Sequence, residues 1–156
     1  MIYCEKCVYP MTAAQLEITD GICSACRSAE RLISITKEEW SHREEIFGDL
    51  VKSLASENGS NYDCLIPVSG GKDSFYQAHL MTEKYNLKPL LVTYHGNNYL
   101  PEGDFNRDLM RHAFDADHLV FGPSVSVLKK LNRLGFKVMG DMNWHAHCGI
   151  VTFPIQ

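Results

Sequence analysis

The segment Pro67–Ser74, which reads PVSGGKDS, constrains the fold most because it joins an apolar run to an amphipathic stretch. Residues 64–68 have the length and composition of a buried strand, and residues 75–85 carry apolar side chains at helical spacing. Gly70 and Gly71 therefore lie at a strand-to-helix junction. Without Cβ atoms they allow a positive φ and a close approach of an anion, toward which the free N–H groups of the next helical turn point. The sequence predicts a phosphate-binding turn.

The polar side chains of this turn suit the same ligand. Ser69 and Ser74 can donate hydroxyl hydrogen bonds, and Lys72 can neutralise phosphate charge. Asp73 can hold a magnesium ion that bridges phosphate oxygens. The spacing is not that of a Walker loop or of the three-glycine dinucleotide fingerprint. The alternative is an ordinary tight turn before a helix.

The letters SGGKDS match the pattern Ser-Gly-Gly-x-Asp-Ser, so this turn resembles the nucleotide loop of the PP-loop ATP pyrophosphatases. The resemblance implies that ATP is split between its α and β phosphates and that a carbonyl or amide oxygen is adenylated. The predicted residues that contact ATP and Mg²⁺ are Ser69, Gly70, Gly71, Asp73 and Ser74. The catalytic candidates are Asp73 and Lys72, of which Lys72 occupies a variable position of the signature.

A second pattern consists of two C-x-x-C pairs, Cys4 with Cys7 and Cys23 with Cys26, separated by 15 residues. Four thiolates at this spacing suit tetrahedral zinc. The alternatives are two disulfides or four unrelated cysteines. Disulfides are disfavoured because the sequence shows no signal peptide and ATP chemistry argues for a reducing cytoplasm. We expect residues 1–30 to form a zinc ribbon whose closed site is structural.

Composition agrees with a cytoplasmic protein that has one modest core and a small metal-stapled appendage. The chain has 156 residues, of which 45% are hydrophobic and 22% charged. No run approaches the roughly 18 apolar residues needed to cross a membrane. The net charge of −4 and the lack of a dense Lys/Arg cluster argue against a nucleic-acid partner, since such binding relies on neutralising phosphates.

The order of elements predicts an α/β fold. Residues 28–56 have helical spacing, and we expect a helical connector over residues 31–59 before a new domain over residues 60–156. Further strands are predicted at residues 89–94 and 118–121, with helices near residues 105–113 and 127–134. Strands that alternate with helices imply a parallel sheet, and ligands collect at the carboxyl ends of its strands. The Ser69 loop and the segment Tyr94–Asn97 should both lie there.

Tyr94 and His95 are predicted to contact the adenosine side of the nucleotide. The alternative is an ordinary strand end and turn, and the sequence favours neither interpretation over the other.

The whole chain resembles the N-acetyl sugar amidotransferases of bacterial surface-polysaccharide (O-antigen) biosynthesis. The motifs are the two C-x-x-C pairs, PVSGGKDS, LLVTY at residues 90–94 and GDMNWHAHCGIVTFP at residues 140–154. The resemblance implies that an acetamido group on a nucleotide-linked sugar becomes an acetamidino group. ATP would drive the reaction, and a separate glutaminase subunit would deliver the ammonia. The family extends well beyond the position of Gln156, so we expect a truncated sheet with an exposed edge, self-association, and weak or absent turnover.

The cluster His145-Ala146-His147-Cys148 has three interpretations. It could be a second metal site, but the sequence offers no fourth ligand. It could face the sugar substrate through His145 or His147. The interpretation that we favour over metal is a loop whose Trp144 and Cys148 pack and whose imidazoles are hydrogen-bonded. Cys64 is predicted to be a small core residue, and His42, His79, His112 and His118 are predicted to be structural.

Two other functions are compatible with the motifs. One is a PP-loop tRNA thiolase, which needs a basic RNA-binding face and a sulfur-carrying cysteine near the loop, for which Cys148 is the candidate. The other is a non-catalytic interaction fragment made of a zinc ribbon and a nucleotide-binding fold.

Overall fold

A computed structural model describes residues 2–10, 12, 16–55, 61–96 and 100–156, and for Ala55 only the backbone. The chain divides into two compact units, Met1–Asp49 and Leu50–Gln156. The predicted boundary after residue 30 falls inside a helix, and the one after residue 59 lies outside the described residues, so the three-part division stays a prediction. Among the described helices, none combines the length and the apolar character that a membrane span requires.

The first unit contains a short β-hairpin. Its strands β1 (Ile18–Thr19) and β2 (Ile22–Cys23) pair antiparallel. The two residues between them, Asp20 and Gly21, have φ angles of 51° and 76°. Positive φ at both central positions is the mark of a type I′ turn, for which Asp-Gly is a favoured sequence. The hairpin delivers Cys23 directly to the start of the next helix.

Two helices follow where the sequence predicted one. Helix α1 spans Ser24–Ile33, and helix α2 spans Lys37–Ala55. The prediction of a continuous helix was wrong at residues 34–36, because Thr36 caps α2 by accepting a hydrogen bond from the Glu39 backbone N–H at 3.2 Å. The letters TKEE at residues 36–39 are a capping-box pattern, which is the signal that could have placed this break.

A parallel sheet organises the second unit. Its strands are β3 (Cys64–Pro67), β4 (Pro89–Tyr94) and β5 (His118–Phe121), in the order β3-β4-β5. The register places Ile66 beside Leu91 and Thr93 beside Val120. The predicted strands and their parallel arrangement are confirmed. This order matches one half of a doubly wound sheet.

Helices connect and flank these strands. They are α3 (Lys72–His79), which continues as a π-helical segment (Leu80–Lys84), α4 (Pro101–Phe114), α5 (Val125–Met139) and α6 (Trp144–Thr152), followed by a 3₁₀ turn (Phe153–Ile155). The helices predicted after the Ser74 segment, near residues 105–113 and near residues 127–134 are confirmed. The loop expected around His145 was wrong, because these residues lie in α6. The apolar residues of this helix do not fall on one face, so it lacks the amphipathic pattern that identifies a helix in sequence.

Different helices pack on the two faces of the sheet. Ile66, Val68 and Leu91 point to one face, where they form the core with Ala78 of α3 and Met110 of α4. Side chains alternate along a strand, so Thr93 lies on this face and Tyr94 on the opposite one. There the Tyr94 ring contacts α6 and lies 6.3 Å from the Phe153 ring. Cys64 packs against the core, as predicted.

The outer edges of β3 and β5 pair with no further strand in the described part of the chain. Leu119 and Phe121 on β5 are also about half exposed. Unpaired edges are templates for association, and self-association stays a prediction.

We expect Gly149→Ala to lower the free energy of unfolding by about 1–2 kcal/mol. A Cβ on Gly149 would lie 2.3 Å from Cε1 of Tyr94, and this overlap outweighs the helix propensity that alanine gains. The matched control is Gly122→Ala, whose added Cβ would meet its nearest neighbour at 3.6 Å and should change stability by less than about 0.5 kcal/mol. Urea denaturation measures both; equal stability of the two variants would contradict the packing of α6 on Tyr94.

Candidate functional site

The four predicted zinc ligands converge in the first unit. Cys4 and Cys7 come from an N-terminal turn closed by the Val8 N–H, which donates to the Cys4 carbonyl at 2.9 Å. Cys23 ends β2 and caps α1, and Cys26 lies in the first turn of that helix. The four sulfur atoms lie within 4.8 Å of one another. They could therefore hold a metal such as zinc.

The sulfur spacing fits tetrahedral coordination. A tetrahedral zinc with Zn–S bonds of about 2.3 Å separates its ligands by roughly 3.8 Å. The Cys4 and Cys26 sulfurs are 3.9 Å apart, and those of Cys7 and Cys23 are 3.7 Å apart. A disulfide needs about 2.05 Å, and none of the six cysteines, all of them in described segments, forms one. This geometry disagrees with the disulfide alternative.

Backbone donors already favour a thiolate in this cluster. The Cys23 N–H donates to the Cys4 sulfur at 3.3 Å, and this bond is the main reason that the pKa of Cys4 is lowered to about 6. The pKa of Cys26 is raised to about 12, chiefly through its hydrogen bond with the Cys7 side chain. The cysteines of the cluster thus differ in how readily they lose a proton, and a metal would replace the thiol protons that remain.

In the second unit, the predicted phosphate loop joins β3 to α3. Gly70 has a φ of 80°, and a Cβ there would lie 2.9 Å from Cγ of Arg107 and 3.0 Å from the Arg107 backbone nitrogen. Both its conformation and its packing therefore require glycine. Gly71 differs from the expectation, because its φ is −83° and its position is the N-cap of α3. Only one of the two glycines takes the positive φ that the sequence suggested.

The two serines of the loop are hydrogen-bonded to each other. The Ser69 N–H donates to the Ser74 Oγ at 3.0 Å, and the two hydroxyl oxygens are 3.3 Å apart. The Gly71 N–H is 3.4 Å from the Ser69 Oγ. Each hydroxyl oxygen accepts a hydrogen bond from a backbone N–H, and one of the two hydroxyl hydrogens is donated in the hydrogen bond between the serines. The other hydroxyl hydrogen can donate to a ligand.

Lys72 and Asp73 lie at the first turn of α3 with their side chains 89% and 83% exposed. The Lys72 Nζ is 2.6 Å from Asp73 Oδ1. Asp73 would exchange this partner for a cation if it held magnesium. An exposed carboxylate at a helix N-terminus is open to such an exchange, and magnesium usually keeps several waters.

A cavity of about 220 Å³ borders the loop. Its lining residues are Pro67, Val68, Ser69, Ser74, Val92, Tyr94 and Ile150. The two serines supply its polar wall, while Tyr94 of β4 and Ile150 of α6 supply apolar surface. Lys72, Asp73 and His95 are not among the residues described as lining it.

Tyr94 is the last residue of β4 and lines the same cavity as Ser69 and Ser74, and His95 follows it in the chain. The Tyr94 ring fills a slot between Gly96 and Gly149, at each of which a Cβ would approach it within 2.5 Å. Burial raises the pKa of Tyr94. The His95 Nε2 is 3.9 Å from Asp104 Oδ1 of α4. Asn97 lies outside the described residues.

The structure adds a network of polar residues that the sequence did not indicate. Thr93 is buried and donates its hydroxyl hydrogen to the Val68 carbonyl at 2.6 Å. The His118 Nε2 lies 2.8 Å from the same Thr93 Oγ1. Arg107 is buried, backs the loop at Gly70 and bonds to Asp104. A threonine in an otherwise apolar strand is the one signal in sequence that could have drawn attention to this network.

The two histidines of α6, His145 and His147, lie in different environments. His145 is buried and its Nε2 contacts Asn132 Oδ1 of α5 at 2.5 Å, whereas His147 is exposed. Residues two apart on a helix face different directions. The described part of the chain brings no metal-ligand group together at this position, so the metal interpretation is not supported. The packed interpretation agrees with the structure for His145.

No protein-family model matches this chain, and no curated protein matches it either. The class that the structure defines is an α/β protein with a three-stranded parallel sheet and a four-cysteine cluster that could bind a metal such as zinc.

We expect Cys23→Ser to abolish stoichiometric binding of zinc. The substitution removes one of the four sulfurs but leaves a hydroxyl that can still cap α1, and the free energy of metal binding is also free energy of folding in such sites. Metal content by mass spectrometry and helix content by circular dichroism measure the two effects. Cys148→Ser is the matched control and should keep one metal ion per chain. A zinc-loaded Cys23→Ser protein would contradict the four-sulfur site.

Stability should fall as the pH drops below about 6.5. Burial lowers the pKa of His118, and Arg107 and Arg111 act in the same direction against a smaller opposing effect of Asp108. Asp104 lines the same polar pocket. The unfolded chain therefore binds this proton at a higher pH than the folded chain does, so acid favours unfolding.

The test compares the slope of unfolding free energy against pH between wild type, His118→Gln and the exposed-residue control His147→Gln. The slope should become shallower in His118→Gln alone. Identical slopes in the three proteins would contradict the lowered pKa of His118.

Proposed function

We propose that the second unit binds ATP at the Ser69–Ser74 loop and that the protein is an ATP-dependent, AMP-forming amidotransferase. Its acceptor would be the acetamido group of a nucleotide-linked N-acetyl sugar, which it would convert to an acetamidino group for surface-polysaccharide biosynthesis. The observation that carries the proposal is the cluster of hydroxyl and N–H groups at the carboxyl end of β3, next to a cavity.

The loop supports a nucleotide because one serine hydroxyl hydrogen remains available beside the cavity, at the start of α3. The loop follows a parallel strand and opens a helix, so the partial positive charge of the helix N-terminus adds to the donors. Ser69 and Ser74 retain one hydroxyl hydrogen for a ligand, and Gly70 lets the backbone fold tightly there. The cavity beyond the serines is largely apolar and lies at the strand ends, where α/β folds bind ligands.

The proposed reaction explains why ATP is needed. An amide carbonyl is a poor electrophile. Attack of the amide oxygen on the α-phosphorus would expel pyrophosphate and leave an imidate that carries AMP. Ammonia would then add to the imidate carbon, and AMP would leave with the former amide oxygen. The products would be the amidine, AMP and pyrophosphate.

Asp73 and Lys72 have different proposed roles. Asp73 would hold a magnesium ion that neutralises the phosphates when bound. Lys72 would contribute positive charge near the leaving pyrophosphate, for which it must release Asp73. Tyr94 would contact the adenosine side through the ring surface that lines the cavity. His145 is buried against Asn132, so of the two histidines proposed to face the sugar, His147 is the accessible one.

The remaining partners follow from the same chemistry. Zinc held by the four cysteines would stabilise the first unit without taking part in the reaction. Ammonia would come from a glutaminase subunit, and the reaction would take place in the cytoplasm, where ATP is available. The net charge of −4 favours this function over a tRNA thiolase, because RNA binding requires neutralisation of phosphates.

Asp73→Asn should lower product formation by about a hundredfold, because the variant loses the charge that holds magnesium against the phosphates. The assay combines ATP, magnesium, ammonium chloride and UDP-linked N-acetylated sugars. Mass spectrometry then detects the replacement of O by NH in the sugar. The matched control is Glu83→Gln, which removes one negative charge from an exposed residue of the π-helical segment that extends α3.

The outcomes separate the alternatives. Amidination that Asp73→Asn abolishes and Glu83→Gln leaves intact supports the proposal. Release of AMP from ATP without amidination of any tested sugar would overturn the acceptor assignment. Binding of labelled tRNA would favour the thiolase, and absence of ATP binding in wild type would favour a non-catalytic interaction module.

A further inference from the structure

We propose that Thr93, held by His118, is a positioning residue that fixes the peptide group between Val68 and Ser69 and thereby orients the donors of the loop. The positioning itself concerns contacts within this chain, and its effect on ATP rests on the proposed function.

The hydrogen atoms in this network can be assigned by elimination. Thr93 has one hydroxyl hydrogen, and it is donated to the Val68 carbonyl at 2.6 Å. The Thr93 oxygen must therefore accept from His118, whose Nε2 lies 2.8 Å away and carries the hydrogen. The chain of donors runs from His118 to Thr93 to the Val68 carbonyl. It links β5 and β4 to Val68, the residue that follows β3 at the base of the loop.

The same peptide group is held from its other end. The Ser69 N–H, which belongs to the peptide bond that carries the Val68 carbonyl, donates to the Ser74 Oγ at 3.0 Å. The peptide bond between Val68 and Ser69 is trans, so its C=O and N–H point in opposite directions. One end is bonded to a side chain of β4 and the other to a side chain of α3. The peptide plane therefore cannot rotate without breaking a hydrogen bond.

The hydrogen bond between Thr93 and the Val68 carbonyl is buried. Thr93 is 2% exposed and Val68 is 5% exposed, so water has little access to replace the hydroxyl of Thr93. A buried acceptor that loses its donor costs more free energy than a typical hydrogen bond gains. Loss of the hydroxyl therefore favours rotation of the peptide group, which would carry the Ser69 N–H away from Ser74. The serine pair would then lose the geometry that keeps a hydroxyl available to a ligand.

Three variants test this assignment. Thr93→Val keeps the shape of the side chain and removes the hydroxyl, whereas Thr93→Ser keeps the hydroxyl and removes the methyl group. His118→Phe removes the donor to Thr93. None of these residues lines the cavity, so a change in ligand binding must be transmitted through the loop.

Amide hydrogen exchange at Ser69, followed by NMR, is the measurement that does not depend on ATP. We expect exchange to be roughly fivefold faster in Thr93→Val, within about twofold of wild type in Thr93→Ser, and faster by an intermediate factor in His118→Phe. The Leu91 amide, which donates to the Asp117 carbonyl at the buried centre of the sheet, reports global opening and serves as the internal reference. Ser69 exchange that changes only in step with Leu91 in Thr93→Val would overturn the proposal.

Calorimetric titration with ATP and magnesium is the second measurement. Thr93→Val should bind about fivefold more weakly than wild type, and Thr93→Ser should restore the affinity. Affinity that is unchanged in Thr93→Val, when wild type does bind ATP, would overturn the effect on the ligand. If wild type binds no ATP while Ser69 exchange follows the expected order, the positioning role is supported and the proposed function fails.

Discussion

The second unit depends on the pairing of β4 with a parallel neighbour on each side. Leu91 is fully buried at the centre of this sheet, and the helices α3 and α4 complete the core around it. The same strand carries Thr93 on one face and Tyr94 on the other. The central strand therefore supports the loop from below and lines the cavity next to it. A shift of its register by one residue would exchange these two side chains between the faces of the sheet.

Close contact at glycines gives this site its shape. Gly70 brings the loop against α4 at Arg107, and Gly149 brings α6 against the Tyr94 ring. In each case the space that a side chain would fill is taken by a neighbouring residue. The loop, the end of β4 and α6 are consequently held by packing as well as by hydrogen bonds. Such support is what a binding site needs if its donors are to be oriented before a ligand arrives.

The sequence was sufficient where local patterns determine structure. Short apolar runs predicted the strands at residues 89–94 and 118–121 to the residue, and the spacing of the C-x-x-C pairs predicted the sulfur cluster. It was insufficient where tertiary contacts decide. Helix α6 has no amphipathic face, so periodicity could not identify it. The different roles of Gly70 and Gly71 depend on how the loop meets α4, and the bond between Thr93 and His118 joins residues 25 positions apart. No local pattern encodes such a pair.

The sulfur cluster also changes the charge of the molecule. The net charge of −4 counts every thiol as neutral. A divalent ion held by four thiolates carries two positive charges against four negative ones, so the loaded protein is more anionic by two charges than this count. Lys6, which pairs with Glu30 beside the cluster, has a pKa raised mainly by that pair and also by the nearby Cys26 and Cys4. Loading with metal would thus alter the electrophoretic mobility of the protein and its repulsion of polyanions, in addition to stapling its first unit.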